Sequence, residues 1–367
     1  MLKVLIVDDT IFFRKIVSDI LSEMQDVEVV GTANNGKIAL SKIDTHAPDL
    51  LILDVEMPEA SGIQVLEYIK ENNLRVGAIM LSSLTQKSSD ATMKALELGA
   101  FDFIPKPQAG SLSDNKKAVK KEILSKVKAF QKVKDVRNIL NKKPANLKNR
   151  IKRKKIVSHL KSYQKNKSFI RKKQKSEIIA IGISTGGPCA LAQVIPKLKK
   201  DIGVPILIAQ HMPPVFTKSL ASSLDSKSSL NVKEAVDGEL LRDDTVFIAP
   251  GGKHMKVAAS ADGQSRMIRV TDDPPENSCK PSVDYLFRSI ARYYIGRATC
   301  VIMTGMGSDG TSGLKKVKEA GGIIIAQNEE TCVVYGMPKE PIQSGIVDII
   351  TSLDQIAFEI MQTTLKS

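Results

Sequence analysis

The sequence predicts the α/β class twice over, as two domains in series, and three observations predict it. From Met1 to about Gln108 short β-rich runs alternate with amphipathic stretches; from Glu177 onward the alternation returns; between the two the composition breaks into lysine. A chain of 367 residues with 42% apolar content exceeds what one hydrophobic core organises and has material for two.

The first alternation reads KVLIVDD then IFFRKIVSDILSEM, VEVVGTA then GKIALSKI, LLILDV then GIQVLEYIKE, GAIMLSS then ATMKALELG, and finally FDFIP. Strand followed by helix, repeated, implies right-handed crossovers and a parallel sheet wound on both faces. LLILDV is almost continuously apolar, as a central strand covered on both sides requires. Leu112, Val119, Ile123, Val127 and Phe130 keep helical spacing and predict a closing helix over roughly Leu112 to Leu140. Beyond Pro144 lysines dominate, and about Asn141 to Ser176 reads as a mobile or loosely helical linker. The domain organisation is therefore 1–138, a basic linker over 139–176, and 177–367.

In the last part IIAIGIS, PILIAQH, TVFIAP, TCVIMTG and GIIIAQ read as strands, with helices in CALAQVIPKLKK and SVDYLFRSIARYY. KHMKVAAS and QSRMIRVT read as a hairpin closed at Asp262-Gly263.

The formal charge of +14 is concentrated. Between Asn115 and Lys175 there are 24 Lys/Arg against two acids, a surplus of 22, which leaves the remainder of the chain at about −8. The domains are acidic and the connecting segment is basic. Cys189, Cys279, Cys300 and Cys332 form no short C-x-x-C pair, which argues against a zinc site or disulfide framework and reads as buried free thiols. With only His46, His159, His211 and His254, no histidine-rich metal cluster can be built. No run of about eighteen apolar residues occurs and two acids interrupt the opening MLKVLIVDDT, so a cytoplasmic protein is expected.

Two constellations carry chemistry. Asp8 and Asp9 end the first strand, Asp54 the third, and Lys106 follows the fifth, so all should meet at the carboxyl edge of the sheet, where open α/β sheets bind ligands. Converging carboxylates repel unless a cation sits among them, and oxygen-only ligation suits magnesium. Such an ion would neutralise charge as Asp54 attacks a phosphoryl group to form an acyl phosphate.

These residues, with Ser82 at the end of strand four, resemble the receiver domain of two-component response regulators over roughly the first 110 to 135 residues. The resemblance implies Asp54 as phosphoacceptor, Asp8 and Asp9 as metal-holding groups with the backbone carbonyl of Glu56 as a further ligand, Ser82 as the sensor of the phosphoryl group, and Lys106 as its partner.

In the second half Gly182-Ile183-Ser184-Thr185-Gly186 follows a strand and precedes a helix. A tight strand-to-helix turn of this G-x-S-x-G form projects the serine and leaves N–H groups at a helix N-terminus for an oxyanion. Taken alone, such a turn equally suits a phosphate. His211 ends the strand PILIAQ, so in a parallel sheet it reaches the same edge; His254, in APGGKHM, is the competing base. Asp309, in TGMGSDG after another strand, is the orienting carboxylate, with Asp284 as runner-up in what reads as a helix interior.

Together GISTGGP, AQHMP, APGGKHM, KPSVDYLFRSIA and TGMGSDG resemble the CheB family of chemotaxis response regulators, across both domains but not the linker. The resemblance implies a flavodoxin-like doubly wound receiver followed by a Rossmann-like methylesterase domain. It also implies protein-glutamate methylesterase and protein-glutamine glutaminase activity. Ser184 would be nucleophile, His211 general base and acid, Asp309 the orienting carboxylate. Met306 would lend its N–H to the oxyanion hole and Thr185 would hydrogen-bond His211.

The implied substrate is a γ-glutamyl methyl ester on a chemoreceptor, with the histidine kinase CheA as phosphodonor, magnesium at the receiver and no cofactor at the hydrolase site. If the unphosphorylated receiver packs over the Ser184 cleft, phosphorylation of Asp54 need shift that packing by only a few kcal/mol. Two rival readings are a nucleic-acid-binding output through the lysine-rich segment and a phosphorelay adaptor with an inactive second domain. The first is opposed by the segment's few arginines and aromatics, which leave no specific nucleic-acid partner expected, and the second by the presence of all three triad members.

Overall fold

The computed structural model describes residues 1–107, 112–141, 174–261 and 263–365. Residues 142–173, the body of the expected linker, and Asp262 of the expected hairpin turn lie outside the described residues. The chain divides into two compact units, Met1–Val133 with Pro213–Ser223 and Lys134–Met212 with Leu224–Ser367. No helix among the described residues is long and apolar enough to cross a membrane.

The first unit holds strands β1 (Leu2–Val7), β2 (Val27–Ala33), β3 (Leu50–Asp54), β4 (Gly77–Ser82) and β5 (Asp102–Pro105), in the order β2-β1-β3-β4-β5. Every pairing is parallel. Helices α1 (Ile11–Ser22), α2 (Gly36–His46), α3 (Gly62–Glu71), α4 (Gln86–Glu97) and α5 (Leu112–Asn141) complete the alternation. Each of the first four starts on a side-chain cap: Thr10, Asn35, Ser61 and Thr85 accept from the N–H three residues on. At Ser61, Gln64 closes a reciprocal capping box. Val4 and Ile6 of β1, Ile52 of β3, and Val119, Ile123 and Val127 of α5 share one core. The spacing of those last three at four-residue steps is what makes α5 the closing helix of this unit.

The second unit carries a seven-stranded sheet, composed of β6 (Ile178–Ile183), β7 (Ile206–Gln210), β8 (Asn231–Glu234), β9 (Thr245–Ile248), β12 (Ala298–Ile302), β13 (Ile323–Gln327) and β14 (Ile349–Thr351). Its order is β14-β13-β12-β6-β7-β9-β8, and all pairs are parallel. The two edge strands β8 and β14 were not evident in the sequence, because NVKE is four residues with a single apolar side chain and IIT is only three residues long. Strands β10 (His254–Ala259) and β11 (Arg266–Thr271) pair antiparallel, His254 with Thr271 through Ala259 with Arg266, as the expected hairpin.

Beyond residue 177 the helices in sequence order are α6 (Gly187–Val194), α7 (Phe216–Asp225), α8 (Val283–Tyr293), α9 (Thr311–Glu319), α10 (Lys339–Gln343) and α11 (Leu353–Thr364). In α8 the residues Val283, Leu286, Phe287 and Ile290 recur at 3- and 4-residue steps and are all buried against the sheet core. Burial of each is worth roughly 1.5–3 kcal/mol, which anchors the first turn of α8 where the site needs it.

Candidate active site and phosphoacceptor site

β6 is the point where the second sheet reverses its winding: the chain runs from β6 to β7 on one side and returns with β12 on the other. Ligands bind outside the carboxyl ends of strands at such a switch point. The register there pairs Ile183 with Gln210 and Gly182 with Ile302, so the residues that follow β6, β7 and β12 emerge side by side. The backbone continues this pairing past the strands. His211 N–H donates to the Ile183 carbonyl (3.1 Å) and Ser184 N–H to the Thr304 carbonyl (3.0 Å).

Ser184 is held in a turn. Its carbonyl accepts from Gly187 N–H at 2.7 Å and from Gln210 Nε2 at 3.0 Å. Gly186 caps α6 with φ +76°, a left-handed conformation that a side chain would strain, and a Cβ there would also meet Val333 at 2.6 Å. The TGMG loop after β12 comes equally close, since a Cβ on Gly305 would lie 2.7 Å from the Ser184 Cβ. The half-buried Met306 follows in that loop. The side chain of Ser184 is therefore closely approached by the Gly305 backbone of the loop after β12.

The imidazole of His211 uses both nitrogens. Nε2 lies 2.8 Å from Asp309 Oδ2, and Nδ1 lies 3.7 Å from Cys279 Sγ. Among the described residues no hydrogen bond joins the ring to Ser184 or to Thr185. The expected Thr185 support is not made in this state, because the two ring nitrogens are occupied; Thr185 instead offers its carbonyl to Thr304 Oγ1 at 2.9 Å.

Asp309 is 3% exposed and its carboxylate is saturated with donors. Besides His211, it accepts from Val283 N–H (2.7 Å), Asp284 N–H (3.1 Å), Ser282 Oγ (2.9 Å) and Asn277 Nδ2 (3.3 Å). Val283 and Asp284 open α8, so the carboxylate also sits at the positive end of a helix. Burial alone would push Asp309 up; the hydrogen bond and charge of His211 with the two backbone N–H groups bring it down to about 2. Burial likewise pulls His211 down, but its bonds to Asp309 and Cys279 outweigh that and raise it to about 9. The pair is a charged one at neutral pH.

The competing candidates separate cleanly. His254 is fully buried, accepts from Ser282 N–H at Nδ1 (3.2 Å), lies 3.0 Å from the Pro274 carbonyl at Nε2, and stacks on Tyr285. It supports the start of α8 rather than meeting Ser184. Asp284 stands in the first turn of α8, not its interior, where it accepts from Gly313 N–H (2.6 Å) and Asn277 Nδ2 (3.1 Å). Burial outweighs the donation from Gly313 N–H and leaves its carboxyl raised. Gln210, Asn277 and Ser282 escaped the sequence reading, and Cys279 entered it only as a buried free thiol. Only Ser282 had a signal, as the polar residue before an apolar 3.6-residue period.

The reading of all four cysteines as buried thiols is corrected. Cys300 is buried, and burial holds its thiol well above the usual range, but Cys189, Cys279 and Cys332 are only half-buried. All four are free thiols, as expected.

In the first sheet the order β2-β1-β3 puts the reversal between β1 and β3, and Val7 pairs with Leu53. Asp8 and Asp54 follow directly and are both buried. Lys106 Nζ reaches Asp54 Oδ2 at 2.6 Å and Asp8 Oδ2 at 2.7 Å. Asp8 Oδ1 accepts from Thr10 N–H and Oγ1. Its Oδ2 has the lysine as ion-pair partner but no hydrogen bond of good geometry, which leaves a buried oxygen open to a further cation.

Asp8, Asp9 and Asp54 each offer an oxygen within 4.8 Å of the others, a hard, all-oxygen set that fits magnesium. Burial raises Asp54 to about 6 even with Lys106 opposing it, and Asp8 and Asp9 add to the rise. Glu56 is exposed in the loop after β3, its carboxylate accepting from Ser88 Oγ at 2.8 Å. Ser82 is fully buried, with its hydroxyl engaged by α4: it donates to the Ser88 carbonyl (3.3 Å) and accepts from Thr92 Oγ1 (2.8 Å).

With this geometry in place, comparison with known proteins is decisive. Residues 179–360 match the family model for CheB methylesterase, and residues 4–120 match that for the response regulator receiver domain. A protein-glutamate methylesterase/protein-glutamine glutaminase of Desulfotalea psychrophila is 52% identical over 99% of this chain and 98% of its own length. The chain belongs to the CheB methylesterase family. Its likeness extends to the Bacillus subtilis protein-glutamate methylesterase/protein-glutamine glutaminase, 42% identical over 100% of this chain and 99% of that protein. The crystal structure of the Thermotoga maritima CheB methylesterase catalytic domain aligns with a TM-score of 0.50 and 43% identity, covering 52% of this chain and 99% of that one.

Proposed function

We propose that the protein hydrolyses γ-glutamyl methyl esters, and deamidates glutamine side chains, on a chemoreceptor, under control of phosphorylation at Asp54. The observation that carries the reading is the 2.8 Å bond between His211 and Asp309 at the strand edge from which Ser184 also emerges. Residues 1–138 form the receiver, 139–176 the basic linker and 177–367 the hydrolase.

Asp309 holds Nε2, so the proton of Ser184 goes to Nδ1. Ser184 Oγ attacks the ester carbonyl, the oxyanion turns toward backbone N–H groups of the turn and of the Met306 loop, and His211 returns the proton to the departing methanol or ammonia. Water, deprotonated by the same ring, then frees the glutamate. The charged state of His211 favours the ring form that stabilises the tetrahedral intermediate and opposes the form that starts the reaction.

At the receiver, Asp8, Asp9, Asp54 and the carbonyl of Glu56 would hold magnesium, whose chemistry is to neutralise charge during acyl phosphate formation. Asp54 takes the phosphoryl group from a histidine kinase of the CheA type, Lys106 pairs with it, and Ser82 reaches it by giving up its bonds to Ser88 and Thr92. The protein acts in the cytoplasm, on the face of the receptor where such a kinase works.

The test is methanol release from a methylated receptor, with and without a small-molecule phosphodonor and magnesium. Wild-type protein should release methanol, faster with phosphodonor, and Ser184→Ala should lower the rate by about 10⁴-fold or more. An undiminished rate in Ser184→Ala would refute the assignment.

A further inference from the structure

The resting imidazole is shared between two chemistries. Its Nε2 faces Asp309 and its Nδ1, the nitrogen that the hydrolase reading requires for Ser184, faces Cys279 Sγ at 3.7 Å. Thiol, imidazole and carboxylate thus follow one another in series, the order in which a cysteine nucleophile is activated: sulfur next to base, base next to orienting acid. Cys279 is half-buried, so small solutes reach it.

The loop that carries Cys279 is built to hold it there. Glu276 and Cys279 exchange both backbone hydrogen bonds (3.2 and 2.8 Å), with Asn277 and Ser278 between them at φ +52° and +62°. Arg288 clamps the Glu276 carboxylate with two contacts of 2.5 and 2.7 Å, and Asn277 Nδ2 ties the loop to Asp284 and Asp309. The sulfur also lies 3.5 Å from the Asn277 carbonyl. Two of the other thiols lack this setting: Cys300 is buried in the core, and Cys332 has burial and two glutamates, Glu329 and Glu330, opposing its ionisation.

We propose that Cys279 is an activated thiol and a site of covalent modification by small, soft electrophiles, and that its modification disables the ring His211 would lend to Ser184. With iodoacetamide as probe, the sulfur attacks the methylene carbon, a C–S bond forms as the C–I bond breaks, and iodide departs. The sulfur's proton goes to buffer, and the charged His211 ring, facing the sulfur through Nδ1, stabilises the thiolate that attacks. The carboxamidomethyl group then occupies the space beside Nδ1. The consequence for esterase activity rests on the function proposed above; the enhanced reactivity of the thiol does not.

The experiment treats the full-length protein with substoichiometric iodoacetamide and follows each cysteine by peptide mass, in parallel with methanol release. Cys279 should label at least tenfold faster than Cys189 or Cys332, and His211→Gln should remove most of that advantage. Esterase activity should fall in step with Cys279 labelling, while Cys279→Ser and Cys279→Ala should keep the same treated-to-untreated activity ratio throughout. Labelling of Cys279 no faster than of Cys189, or labelling indifferent to His211→Gln, would overturn the proposal. So would full labelling with undiminished esterase. If untreated protein releases no methanol at all, the functional reading fails and the labelling rates still decide whether the thiol is activated.

Discussion

Two buried carboxylates, each at the reversal of a parallel sheet, have been driven in opposite directions. Asp54, following β3, is raised to about 6; Asp309, following β12 through the TGMGSD loop, is lowered to about 2. Both lose water, so burial opposes the charge of each. What differs is the supply of donors. Asp309 collects two backbone N–H groups of α8, a hydroxyl, an amide and an imidazole, whereas Asp54 has the one ammonium of Lys106 and two further acids beside it. A carboxylate saturated with donors is a fixed anion that orients a base. One short of donors, among like charges, is poised to take a cation and to become a nucleophile.

That contrast can be broken at its strongest point first. Asp309→Asn should cost about 10⁴-fold in methanol release, by analogy with triads in which the amide imposes the wrong imidazole tautomer. A drop of less than tenfold would mean that the donors around Asp309 serve the fold alone. At the receiver, Asp54→Asn should reduce the ratio of esterase rates with and without phosphodonor to one, while the rate without phosphodonor persists. Retained activation would place the phosphoacceptor elsewhere.

The pH dependence sharpens the same comparison. With His211 raised to about 9, the base form accumulates only as pH climbs through that value, so kcat/KM should rise toward a plateau above it. The folded state prefers the charged ring, so its stabilising contribution is complete below the ordinary value of 6.5 and is lost as pH rises through about 9. Activity should therefore increase over the range in which thermal stability declines. A profile already flat at pH 7 would show a neutral resting ring.

The smallest effect concerns Ser82. Thr92→Val removes the donor to the Ser82 hydroxyl and to the Ser88 carbonyl, and should lower receiver stability by about 1 kcal/mol in urea denaturation. An unchanged midpoint would mean that the hydroxyl is not committed to α4.

The parts of both sites that were legible in the sequence are those that strands deliver. LLILD, IIAIGI and ILIAQ are continuous apolar runs because both sheet faces are covered, and in a parallel sheet the next residue always arrives at the same edge. Asp54, Ser184 and His211 could be gathered by that rule alone. Asp309 also follows a strand, although the loop carries it on to the first turn of α8. Cys279 and Asn277 come from the return loop behind the β10–β11 hairpin, and Val283 acts through its backbone, so no period or motif places them at the edge.

Asp284 was misjudged as interior because apolar periodicity cannot say where a first turn begins. Ser282, its cap, was the available clue. The hydroxyl of Ser82 depends on which donors of α4 pack against it, a tertiary matter that strand-end register does not report.

The central claim is that Asp309, through His211, makes a nucleophile of Ser184. The most direct measurement is the site of adduct formation with a serine-directed phosphonofluoridate, read by peptide mass in the full-length protein. The account predicts one adduct on Ser184, formed far more slowly in Asp309→Asn and His211→Gln. An adduct on another residue, or labelling of Ser184 at the same rate in all three proteins, would contradict it.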